Sequence, residues 1–176
     1  MLLRGNSISL RALEPGDIDL LYKWENDESL WLVSGTVAPF SKHVLQQYLD
    51  NSHLDIYATR QLRLVIDVHE PANINIGFID LFDYDPQHHR AGVGILIGDA
   101  SQRGKGFANE ALKMLIQYCF STLHLHQLYC NVMADNAVSL KLFQQNGFTV
   151  VGNKKEWLFT NNAWVDEYLL QLINTK

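Results

Sequence analysis

Cysteine is scarce in this 176-residue chain, which holds only Cys119 and Cys130. Both fall inside apolar stretches, so they read as buried reduced thiols rather than as a disulfide or a catalytic pair. Basic runs are also missing. The formal net charge is −5, and no cationic run exceeds Lys154-Lys155. A nucleic-acid partner is therefore not expected. No apolar run opens the chain as a signal segment would, and none approaches the length of a membrane span. A cytoplasmic protein without membrane association is the expectation. Repeats, low-complexity tracts and interdomain linkers are absent as well, so the length implies one domain over 1–176 with a real core. His124-Leu125-His126 has H-x-H spacing but no nearby carboxylate or cysteine cluster, and His88-His89 is a loop pair. No metal is expected.

What the chain does have is an apolar strand that runs through a glycine turn into a helix, from Ala91 to Ala111. Val93, Ile95, Leu96 and Ile97 read as a strand buried on both faces. Ala108, Ala111, Leu112, Leu115, Ile116 and Cys119 recur at helical spacing from a start near Phe107. Between them lies Arg103-Gly104-Lys105-Gly106. Glycine permits positive φ and close approach of a ligand to the main chain. The first N–H groups of a helix lack internal partners and carry the positive end of its dipole. This is an anion site, most naturally for a pyrophosphate, with Arg103 and Lys105 adding charge.

Two phosphate-binding patterns fail here. A Walker A loop needs Ser or Thr after Gly-Lys, whereas Lys105 is followed by Gly106. A dinucleotide fingerprint needs a third glycine and an acidic residue about 20 residues on, where this chain has His124, Leu125 and His126. A second segment follows, from Leu128 to Phe148. Leu128–Val132 reads as a strand, Asp135 or Asn136 as a helix N-cap, and Gly147 as the C′ glycine that ends the helix near Asn146.

Together the two segments resemble the GNAT superfamily of N-acyltransferases. Its acyl-coenzyme A loop reads Gln/Arg-x-x-Gly-x-Gly/Ala, and Ser101-Gln102-Arg103-Gly104-Lys105-Gly106 departs from it only at Ser101. Asn136, Ser139 and Gly147-Phe148 match the second motif. Ile76–Leu81, Asp85 and Arg90-Ala91 resemble the strand pair before the loop. Glu156–Phe159 and Asn161–Asp166 resemble the closing hairpin of the branch holding ribosomal-protein N-terminal and polyamine acetyltransferases. The likeness covers about Ile8 to Leu172.

The remaining elements are read from pattern. Ile8–Leu13 alternates as a strand. Asp17 can cap a helix with Leu20, Leu21 and Trp24 inward, and Glu25–Phe40 reads as a loop. Ser41 can cap a helix through Leu49. Leu62, Leu64 and Ile66 alternate in a strand, and a turn at His69–Asn73 leads into Ile74–Phe82. The order β-α-α-β-β-β-α-β-α-β-β predicts a mixed α/β (α+β) fold, a mixed sheet with helices on its faces. The resemblance adds that strands Ala91–Ile97 and Gln127–Val132 splay apart to admit the pantetheine arm of acetyl-CoA.

The resemblance also implies attack of a primary amine, from a protein N-terminus or a small molecule, on the acetyl-CoA thioester. It implies cofactor contacts from the main chain of Ile95 and Ile97. Pyrophosphate contacts fall at Gln102, Arg103, Gly104, Lys105, Gly106, Phe107 and Ala108, with further contacts at Asn136 and Ser139. Many relatives carry a general base where this chain has Gly92. Asp83, Asp85, His88 and His89 lie just upstream, and Asn131 and Glu156 are further candidates; the catalytic expectation is Asp85, His88 and Asn131. The tyrosine that protonates the departing sulfur in many relatives is replaced by Phe143. A thiol of pKa roughly 8.5 leaves tolerably without it, or Tyr129, Tyr168 or water serves. These two departures motivate a second reading, a non-catalytic acyl-CoA-binding sensor or assembly module. The loop Leu32–Pro39 lacks the acidic pair typical of the polyamine branch, but Glu25, Asp27 and Glu28 precede it and can compensate, which leaves the acceptor open. Dimers or larger homo-oligomers are common in the branch.

Overall fold

A computed structural model describes residues 2–70 and 74–175. Eight strands form one sheet: β1 (Leu2–Arg4), β2 (Ile8–Ala12), β3 (Leu62–Val68), β4 (Ile74–Asp85), β5 (Arg90–Ile97), β6 (Gln127–Met133), β7 (Thr149–Thr160) and β8 (Ala163–Ile173). Six α-helices accompany them: α1 (Ile18–Glu25), α2 (Glu28–Ser34), α3 (Lys42–Asp50), α4 (Ile56–Thr59), α5 (Phe107–Ser121) and α6 (Ala137–Gln145). The strand order is β1-β2-β3-β4-β5-β6-β8-β7. Every neighbouring pair is antiparallel except β5 and β6, which run parallel.

The parallel pair is where the sheet parts. Its register is Arg90↔Gln127, Ala91↔Leu128 and Gly92↔Tyr129, and there it stops. β5 continues to Ile97 bound only to β4, and β6 continues to Met133 bound only to β8. The expected splay is thus present and begins just past Gly92.

Alternation along the strands builds a core on each face of the sheet. Leu64, Ile66 and Ile79 pack with Ala111, Leu112, Leu115 and Cys119 of α5. Val65 and Phe78, one position out of phase, pack with Leu21, Trp24, Leu30, Leu45 and Leu49 from α1, α2 and α3. Each buried Leu, Ile, Val or Phe among them contributes about 1.5–3 kcal/mol. Both cysteines are free and buried, and burial pushes each thiol up to about 12.

Several local expectations need correction. The segment Glu25–Phe40, expected as a loop, contains α2. Asp27 caps it by accepting the Ser29 N–H at 2.9 Å, and Gly35 ends it in the left-handed region at φ 72°. Strand β1 and the short α4 were not anticipated, and the closing hairpin is longer on both arms. Asp17 precedes α1 but its side chain does not cap it. Arg11 takes both Asp17 oxygens at 2.7 and 2.8 Å and also binds Asp67 at 2.8 Å. Burial alone would raise the Asp17 pKa. The Arg11 hydrogen bonds and the Glu14 N–H outweigh it and hold the carboxyl below the usual range. Ser41 caps α3 as expected, at 3.2 Å from the Val44 N–H. Residues 71–73 of the expected His69–Asn73 turn lie outside the described residues.

Candidate active site

The turn between β5 and α5 has the form the sequence implies. Gly104 and Gly106 adopt φ 75° and 88°, and a Cβ at either would meet nothing within 4 Å. The space above the turn is therefore open to a ligand. Gly106 is the N-cap of the fifteen-residue α5. The N–H groups of Phe107, Ala108 and Asn109 have no intrahelical carbonyl to bind and face outward along the dipole. Arg103 Nε donates to Ile97 O at 3.0 Å, and Lys105 Nζ to Gln102 Oε1 at 3.0 Å. These bonds hold two exposed cations over the turn. Past Gly92 the edge of β5 that faces β6 has no strand partner, so alternate main-chain groups over 93–97 are left open to a ligand. This donor set fits a pyrophosphate with an extended amide-bearing arm beside β5.

The gap between the strands opens into a cavity of about 360 Å³. Gly94, Ile95 and Leu96 line one side, Asn131, Val132 and Met133 the other, with Asn136, Ser139 and Phe143 from α6. Asn136 Oδ1 accepts the Ser139 N–H at 3.0 Å, so it caps α6 at the edge of the cavity. Asn136 and Ser139 therefore stand with Ile95 at one site, and Asn131 joins them. Phe143 is buried and packs edge-on against Phe148, ring centroids 5.1 Å apart. Gly92 stands where the resemblance implied a carboxylate. A Cβ on Gly92 would lie 2.2 Å from the Phe82 ring.

Asp85 and His88 are not brought to this cavity. Asp85 ends β4 and His88 sits in the turn to β5, at the paired end of β5 and away from the splay. Asp85 accepts the N–H groups of Gln87 and His88 at 3.0 Å each and pairs with Arg90 at 3.3 Å. The His88 N–H, foremost, lowers its pKa, which makes it a weaker base. Asp85 and Tyr129 line a separate hollow of about 680 Å³. The Tyr129 hydroxyl donates to Asp83 at 3.2 Å, and burial foremost pushes its pKa up to about 12. Tyr168 packs against the core. Neither tyrosine lines the cleft.

Three charged groups that sequence reasoning missed do line it: Arg63, Asp80 and Glu167; Glu25 joins them. Arg63 binds Asp80 in a two-pronged pair at 2.8 and 3.0 Å, and its third nitrogen meets Glu25. Its guanidinium lies 5.0 Å over the Phe78 ring. Burial opposes its charge, but Asp80 outweighs the burial and raises its pKa above the ordinary value. Across the cleft, Glu167 pairs with Lys154. A signal for Asp80 existed: it lies two positions from both Phe78 and Phe82, inside the apolar run 76–82. Nothing in the sequence marked Glu167.

A split sheet, a glycine turn at a helix N-terminus and a cleft between the parted strands define an acyl-thioester-dependent transferase. The chain belongs to the acetyltransferase (GNAT) domain family, whose profile matches residues 7–149. It is 29% identical over 175 residues to the spermidine N(1)-acetyltransferase of Vibrio cholerae, covering 97% of this chain and 95% of that one. A spermidine N-acetyltransferase from Vibrio cholerae in complex with CoA and spermine has the same fold, with TM-score 0.87, 24% identity and 98% of each chain covered. A dodecameric structure of a Vibrio cholerae spermidine N-acetyltransferase matches with TM-score 0.79 and 26% identity, over 96% of this chain and 95% of that one. The protein is thus an acetyl-CoA-dependent N-acetyltransferase acting on an amine. No helix among the described residues is long and apolar enough to cross a membrane.

Proposed function

We propose that this chain, as a single domain over 1–176, acetylates a small amine that carries more than one ammonium, as spermidine does. The observation that carries this reading is the lining of the cleft. Three carboxylates, Glu25, Asp80 and Glu167, stand on it against two cations paired with them, Arg63 on the lining and Lys154 beside Glu167. Glu25 and Asp80 are on one wall and Glu167 on the other. A dication can therefore meet both walls, whereas a monoamine meets one. The name of the Vibrio cholerae relative points the same way.

Acetyl-CoA supplies the activated acyl group. In this reading Gln102–Ala108 holds its pyrophosphate, with Arg103 and Lys105 screening the charge. The open-side groups of Ile95 and Ile97 hold its arm, and Asn136 and Ser139 close the other side. Fixing both reactants in one cleft supplies much of the acceleration. With Gly92 in the usual base position, the acceptor's proton leaves through water in contact with the cleft carboxylates. Asp85 and His88 have no part in this step. Phe143 offers no proton to the departing sulfur, which leaves as thiolate at some cost in rate.

The test is competition among acceptors. Spermidine should give the highest kcat/KM, with hexylamine and a short peptide each lower by about tenfold or more, the loss expected when one desolvated charge contact is removed. Preference for the peptide or the monoamine would overturn the acceptor class. The reading extends to self-association and to a cytoplasmic location. Trp157, Phe159 and Trp164 stand exposed on the closing hairpin, a relative is dodecameric, and two free thiols suit a reducing compartment. Light scattering tests the first: a monomer at assay concentration contradicts it.

A further inference from the structure

The ammonium of Lys154 is held by more than its strand neighbour. Lys154 and Glu167 face each other across β7 and β8, so a cross-strand pair follows from register alone. Register does not account for the other two partners. Lys154 Nζ also donates to Asn131 Oδ1, on β6, at 2.9 Å. It lies 4.9 Å over the Trp157 ring. Trp157 is brought there by a break in β7, whose pairing shifts between Lys154 and Leu158. Glu156, within that break, has φ 50°, and its N–H is pinned by Asp166 Oδ1 at 2.9 Å. Bulges of this kind re-aim side chains beside functional sites.

A carboxylate, an amide oxygen and an indole face thus converge from three strands on one primary ammonium. Those are the three kinds of group that recognise such a cation. Two of them, Glu167 and Asn131, line the cleft. We infer that this convergence is a seat for an acceptor ammonium, and that Lys154 is its built-in occupant. The inference rests on the acceptor reading above.

Lys154 can vacate the seat. Its side chain is 30% exposed, and a lysine stem is flexible with a compact charged end. While Lys154 is in place, the apparent affinity of an amine falls by the fraction of time that the seat is free. The penalty is the same factor for every amine that uses the seat. A monoamine displaces Lys154 for an equivalent contact and gains nothing. A dication gains the Glu25–Asp80 wall as well. Lys154 therefore acts as an internal competitor that weakens all acceptors alike, and an acceptor with a second ammonium overcomes it at lower concentration.

The test compares Lys154→Met with Lys154→Arg, using spermidine and hexylamine. Lys154→Met should lower KM for hexylamine and for spermidine by the same factor, about two- to fivefold, the worth of a partly exposed ion pair. Lys154→Arg should keep the wild-type values, and KM for acetyl-CoA should stay the same in both. Calorimetric titration of spermidine into the free protein should show tighter binding to Lys154→Met. Glu167→Gln should raise KM for both amines. A hexylamine KM unchanged or raised in Lys154→Met, with acetyl-CoA binding intact, overturns the seat and leaves the acceptor reading standing. Wild-type protein that binds acetyl-CoA but releases no thiol with either amine overturns the acceptor reading, and the seat with it.

Discussion

Replacing Gly106 by aspartate and by asparagine separates charge from shape at the anion turn. Gly106 has φ 88°, and a Cβ there meets no atom within 4 Å, so neither variant clashes. Both side chains tolerate the left-handed region, and both share its modest strain. Only the aspartate places a negative charge against a bound pyrophosphate. At a separation of about 5 Å and an effective dielectric of about 20 to 80, that repulsion is roughly 1–3 kcal/mol, or about 5- to 150-fold in affinity. Titration calorimetry with acetyl-CoA should therefore find Gly106→Asp weaker than Gly106→Asn by a factor in that range. The gap should shrink as salt is raised, because the turn is exposed. Equal affinities for the two variants, or a gap indifferent to salt, would refute the assignment of this turn to the pyrophosphate.

Three further outcomes are expected. Asn136→Ala removes the α6 cap and should cost about 1 kcal/mol in urea unfolding, with weaker acetyl-CoA binding alongside; unchanged stability would mean that the cap is idle. Phe143→Tyr should raise kcat, by up to about 10²-fold if proton donation to sulfur limits turnover, and no rise in a folded variant would make that donation irrelevant. The Asp17 pKa is held below its unfolded value, near 3.9, by Arg11. Its contribution is therefore full above about pH 4 and is lost as pH falls through the folded pKa. Arg11→Met should lose stability at pH 7, and its deficit against wild type should narrow at pH 3; a deficit of constant size would deny the linkage.

The parts of the fold that were legible in sequence are those with local causes. The β5–α5 turn follows from Gly104 and Gly106, and α6 from Asn136 and Gly147. Helix α2 was missed because its seven residues are too few to show a period, and only Asp27 and Gly35 bracket it. Asp85 and His88 stand away from the cleft for a topological reason. Asp85 and His88 lie close in sequence to Gly92, but an antiparallel hairpin carries its turn to the end of the sheet where β5 and β6 are still paired. Register did the opposite for Asp80. It lies far from the glycine turn in sequence, yet pairs with Gly94 and so enters the cleft. Glu167 reached the cleft through the β6–β8 pairing opposite Met133, a contact between strands that no local pattern announces. Of Asp85, His88 and Asn131, long-range pairing brings only Asn131 to the cleft.

The most direct test of the whole account is release of free thiol from acetyl-CoA in the presence and absence of spermidine. The account predicts release that depends on the amine and falls when Gly106 is replaced by aspartate. Acetyl-CoA binding at the turn without amine-dependent release, for spermidine and for a panel of other primary amines, would contradict it.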